Sequence, residues 1–100
     1  MAGAEVAHVS AVTAWEIAVK AARGRLTLAR PAPEWVPLQI RLGGFRSLAV
    51  SVAHALEVHE LPEHHRDPFD RLLVAQARVE GLALVSTDPA LRRYDVRVVW

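Results

Sequence analysis

Asp67-Pro68-Phe69-Asp70-Arg71-Leu72-Leu73-Val74-Ala75-Gln76-Ala77-Arg78-Val79-Glu80-Gly81-Leu82-Ala83-Leu84-Val85-Ser86 is the stretch that decides the fold. Asp67 suits a helix N-cap, Pro68 the first helical position, and Asp70 the third. The spacing predicts a helix over residues 68–80, closed by Gly81 at the position that favours a left-handed residue. Leu82–Ser86 then reads as a strand. It is short and apolar on both faces, as strands of a parallel sheet are. A long helix leading straight into such a strand is half of a crossover connection.

The same pattern extends in both directions. Val6–Val9 is a short β-prone run, and Ser10 caps a helix over Ala11–Ala22 that stops at Gly24. Its polar residues Thr13, Glu16, Lys20 and Arg23 form one narrow stripe. Pro33–Leu42 reads as a second helix with Trp35, Leu38 and Leu42 on one face, ended by Gly43-Gly44, and Pro37 lies early enough to be tolerated. Phe45–Val50 reads as a strand, and Ser51 caps a helix to about His59. Residues 61–68 form a polar loop. Asp88-Pro89 opens a short helix to about Tyr94, and Val96–Trp100 is a last strand. Strands alternating with helices predict an α/β domain with a parallel sheet between helical layers.

One hundred residues fit a single domain, residues 1–100, and an apolar fraction of 52% is enough to form a core. A net charge of +1 gives no strong field toward nucleic acid or membrane, so any such contact must come from a local cluster. The absence of cysteine excludes disulfides, zinc–thiolate sites and thiol catalysis. No apolar run approaches the roughly 20 residues that cross a bilayer, and nothing reads as a signal peptide. A cytoplasmic location is the expectation.

Three acids fall where an open parallel sheet collects ligands, beyond the C-terminal strand ends. Glu16 lies in the helix after the first strand, Asp70 in the first turn of the helix at 68–80, and Asp88 directly after the strand 82–86. Clustered carboxylates repel one another, and a hard dication between them relieves that. Each acid also has an ordinary explanation: Glu16 pairs with Lys20 at i,i+4, and the other two belong to helix caps. Asp70 stands apart, because it heads a face that continues through Val74 and Ala77. A carboxylate aimed inward is costly without compensation.

Val9-Ser10-Ala11-Val12-Thr13-Ala14-Trp15-Glu16-Ile17-Ala18, the run His64–Ala77 and Leu84-Val85-Ser86-Thr87-Asp88-Pro89 resemble, in this order, three motifs of the VapC-type PIN domains. The connector Gly24–Leu28 and the ending Val98-Val99-Trp100 also fit. The resemblance implies a three-layer α/β/α PIN-like fold and a Mg²⁺- or Mn²⁺-dependent ribonuclease of a toxin–antitoxin system. It implies a VapB-type antitoxin as partner and a homodimer. Carried over by position, it makes Glu16, Asp70 and Asp88 the metal-binding and catalytic acids. It gives Asp67 a capping or outer role, Thr13 and Thr87 the orientation of ligands or water, and Arg71 a possible phosphate contact, against a reading of Arg71 as a solvated helix residue.

Family members of this type begin with a strand ending in Asp, followed by a helical hairpin, and nothing before Glu5 resembles either. The expectation is therefore a sheet lacking that first strand, and weak or no cleavage by these 100 residues. The alternative is a non-catalytic remnant that still binds an antitoxin or another protein. An in-frame extension upstream of Met1 favours the toxin, and a close upstream stop codon the remnant. A phospho-acceptor receiver domain needs an acid pair at the first strand and a late strand-end lysine, and this chain has neither. His64 and His65, adjacent in a loop, are poorly placed to chelate one metal. His8, His54 and His59 read as ordinary helix or strand residues. Trp15, Trp35 and Trp100 lie in apolar patterns and read as core.

Overall fold

A computed structural model describes residues 6–62, 67–82, 84–85 and 98–99. Within these, β1 is His8–Ser10, α1 Ala11–Ala22, α2 Ala32–Leu42, β2 Arg46–Leu48 and α3 Val52–Glu57. A 3-10 turn covers Val58–Glu60, α4 is Pro68–Glu80, β3 is Leu84–Val85 and β4 is Val98–Val99. The four strands form one sheet in the order β2-β1-β3-β4, and every pairing is parallel. The domain is α/β/α, as expected. Asp88, Thr87, the loop 63–66, the helix expected after Pro89 and Trp100 lie outside the described residues.

The two long helices begin and end where their caps dictate. Ser10 Oγ accepts from Val12 N, and the carboxylate of Asp67 accepts from the amides of Phe69 and Asp70. Gly24 (φ +72°) and Gly81 (φ +67°) take the left-handed conformation that glycine alone adopts without strain.

β1 and β2 pair over three residues, and among the described residues β1 meets β3 at His8 with Leu84. Val12, Leu61, Leu73, Val74, Ala75, Ala77 and Leu84 are buried together, with Leu48, Val58, Phe69 and Leu72 packed against them. Four of the seven come from α4, which is therefore the central helix of the domain.

Two packing expectations are corrected. Trp15 is 58% exposed, so it lies at the rim and not in the core. On α2 the buried residue is Val36, while Leu42 is 70% exposed. This helix is apolar over more than one stripe, so spacing alone does not choose which stripe faces inward.

Candidate metal centre

α1 and α4 carry the two candidate acids that are described. Trp15 and Phe69 meet edge to face, with ring centroids 4.6 Å apart and planes at 70°. Glu16 and Asp70 are the next residues along their respective helices. Asp70 is only 6% exposed and heads the inward face formed by Leu73, Val74 and Ala77. Its own amide is capped by Asp67 Oδ1 at 3.2 Å. Glu16 is partly buried, with a side chain 24% exposed, and pairs with Lys20 Nζ at 3.2 Å. Such an i,i+4 pair is worth only tenths of a kcal/mol, roughly 0.2–0.5, so it leaves the carboxylate free to change partner.

Thr13 stands one turn before Glu16. Its Oγ1 is buried and has no hydrogen-bond partner among the described residues. A buried hydroxyl without a partner costs about 1–3 kcal/mol, and a water or ligand atom beside it removes that cost. Glu16, Asp70 and Thr13 all offer oxygen, the donor that Mg²⁺ and Mn²⁺ prefer. In donor chemistry these residue types fit a hard dication. Among the described residues no group of three or more His, Asp or Glu gathers around one point. Asp88 and Thr87, the remaining members of the expected set, lie outside them.

Asp67 serves as a cap: its Oδ1 accepts from Phe69 N at 2.9 Å as well as from Asp70 N. Arg71 is not a solvated residue. Its guanidinium donates to the carbonyls of Val58 and Pro62, each at 3.2 Å, and so holds the 3-10 turn and the chain beyond it against α4.

The whole-chain comparison agrees with this architecture. The sequence model of the PIN domain matches residues 1–97. The chain belongs to the PIN domain family. PIN domains are generally metal-dependent nucleases that use divalent ions, act on RNA and often pair with antitoxins. No curated protein matches the sequence. No helix among the described residues is long and apolar enough to cross a membrane.

The sequence did not reveal an extensive buried polar network among the described residues of this PIN domain. Ser10, His54 and Gln76 are 1%, 2% and 0% exposed. Ser10 Oγ donates to Gln76 Oε1. Gln76 Nε2 donates to the Ala49 carbonyl and to His54 Nδ1, each at 3.3 Å. Ser51 N also donates to Nδ1, at 3.0 Å, within a capping box in which His54 N donates back to Ser51 Oγ. With two N–H groups aimed at it, Nδ1 is the acceptor, so the ring proton sits on Nε2 and is donated to Glu80 Oε2 at 2.6 Å. One local signal was available, since Ser51 is followed three residues later by a side chain able to complete a capping box. The partners of Gln76 were not legible: they lie 22, 27 and 66 residues away.

Proposed function

We propose that this PIN domain is the toxin of a toxin–antitoxin pair, an endoribonuclease of the VapC type. The observation that carries the reading is Asp70, a carboxylate buried at the head of α4 next to a ring contact with the helix that bears Glu16. A carboxylate held at such a depth costs free energy unless a cation or a hydrogen-bonding partner compensates it. Glu16, Asp70 and Asp88 would hold Mg²⁺ or Mn²⁺, which when bound supplies Lewis acidity and a more acidic water. Thr13 and Thr87 would orient the ligands or the attacking water through their hydroxyls. The capping of the Phe69 and Asp70 amides by Asp67 fixes the backbone from which Asp70 projects.

A VapB-type antitoxin is the expected protein partner, and a homodimer the expected assembly, in the cytoplasm. The alternative, a non-catalytic domain that only binds a partner, is favoured by one feature. Val52 and Leu56 lie one turn apart on α3 and are 76% and 68% exposed, an unusual display of apolar surface.

The two readings separate in one assay. Radiolabelled RNA is incubated with the chain and Mg²⁺ or Mn²⁺, beside Asp70→Ala and an EDTA control. Metal-dependent cleavage that Asp70→Ala abolishes supports the nuclease. Equal cleavage by both proteins removes it, and no cleavage by either at high enzyme favours the non-catalytic reading.

A further inference from the structure

We propose that Gln76 is a positioning residue for the acids Glu16 and Asp70, acting through Ser10; this rests on the divalent-cation reading above. Ser10, the N-cap of α1, precedes Glu16 by six residues, and Gln76 follows Asp70 by six on α4. Among the described residues, two side-chain contacts tie α1 and its cap to α4: Ser10 to Gln76 and Trp15 to Phe69. Moving forward from 10 to 15 on α1 means moving back from 76 to 69 on α4. The two contacts are thus ends of one seam, with the acids at its aromatic end.

The ends differ in stiffness. The aromatic end is half-exposed at Trp15, and ring contacts accommodate small sliding motions. The other end is buried and directional. Gln76 has both halves of its amide assigned: Oε1 to Ser10, and Nε2 to Ala49 O and His54 Nδ1. Turning the amide over would set its oxygen against the Ala49 carbonyl, so its orientation is fixed. A slip of α4 by a single residue, about 1.5 Å, breaks all of these bonds. The apolar residues Leu73, Val74, Ala75 and Ala77 have no such directional requirement. A metal site tolerates misplacement of only about 0.5 Å, and the acids of two separate helices meet that tolerance only if the helices share a register. A buried amide is dispensable for hydrophobic packing, since an apolar side chain of equal volume serves as well. Its gain is a defined arrangement.

The test uses the 100-residue chain and Gln76→Met, which keeps the volume and removes the amide. Leu73→Val is the control: it lies on the same buried face and makes no polar contact. Mn²⁺ affinity of the folded fraction is measured by calorimetry, with folding followed by urea titration. The cross-peak between the Trp15 and Phe69 rings is followed by NMR without metal. The proposal expects Gln76→Met to bind Mn²⁺ at least tenfold more weakly, with the ring cross-peak weakened or shifted, while Leu73→Val retains both. If Gln76→Met matches Leu73→Val in Mn²⁺ affinity, Gln76 is merely structural and the proposal falls while the cation reading stands. If the unmodified chain binds no Mn²⁺, the cation reading itself fails and takes the proposal with it. Should Gln76→Met not fold, Ser10→Ala severs the same bond from the α1 side and is held to the same tenfold criterion.

Discussion

Trp15 and Phe69 meet edge to face at 4.6 Å, and each is followed in the chain by an acid, Glu16 and Asp70. The contact links the first helix of the domain to its central one. Trp15, which reads as core, is 58% exposed and meets Phe69 at the rim.

The acids should separate from their neighbours in activity. Asp70→Ala and Glu16→Ala are each expected to lower metal-dependent RNA cleavage by about a hundredfold or more, the equivalent of roughly 3 kcal/mol of transition-state stabilisation. Lys20→Ala removes only the exposed partner of Glu16 and should change unfolding free energy by less than about 0.5 kcal/mol. Single-turnover cleavage and urea unfolding of the three variants check this. A loss with Lys20→Ala as large as with Glu16→Ala would mean that the ion pair, and not the carboxylate, is what matters.

Asp67 should behave as a cap. Asp67→Ala is expected to cost about 1 kcal/mol, and Asp67→Ser, which restores an acceptor for the Phe69 and Asp70 amides, to recover most of it. If serine recovers stability but not Mn²⁺ binding, Asp67 has a role at the metal beyond capping.

Arg71 should affect stability before RNA. Its guanidinium donates to two carbonyls of the segment before α4, and hydrogen bonds from charged groups contribute about 1.5–3 kcal/mol. Arg71→Lys is therefore expected to lower the urea midpoint while leaving the salt dependence of RNA binding unchanged. A reduced salt slope at unchanged stability would instead assign Arg71 to phosphate.

His54 should carry its proton on Nε2. The Ser51 and Gln76 donors at Nδ1 and the Glu80 acceptor at Nε2 require that tautomer. Long-range proton–nitrogen correlation spectra report it directly. His54→Leu, which strands the Ser51 and Gln76 donors, is expected to cost about 1–3 kcal/mol. Glu80→Ala touches a half-exposed partner and should cost well under half as much. An Nδ1–H signal would show that the Gln76 amide is held by Ala49 and Ser10 alone.

The parts of this domain governed by local chemistry were legible in its sequence. α1 and α4 match their expected bounds because Ser10, Asp67, Pro68, Gly24 and Gly81 each satisfy a helix end through neighbours two to four residues away. The inward aim of Asp70 was legible from the apolar face it heads. Properties set by distant partners were not. Whether α2 buries Val36 or Leu42 depends on which stripe meets α1 and β2, and both stripes are apolar. β2 proved shorter than its apolar run: Phe45, Ala49 and Val50 lie beyond the three-residue ladder with β1. Gln76 reads as an ordinary polar residue of an amphipathic helix, and only the folded chain brings Ser10 and His54 to it.

Paramagnetic broadening by Mn²⁺ tests the central claim most directly. Trace Mn²⁺ is titrated into the nitrogen-15-labelled chain while every assigned amide is followed. A shared cation predicts that signals of residues 16, 70 and 88 fade together, at the same metal concentration and ahead of all other acidic positions, and that Mg²⁺ in excess restores them. Broadening that begins around Glu57 and Glu60 while residues 16 and 70 stay sharp would contradict it.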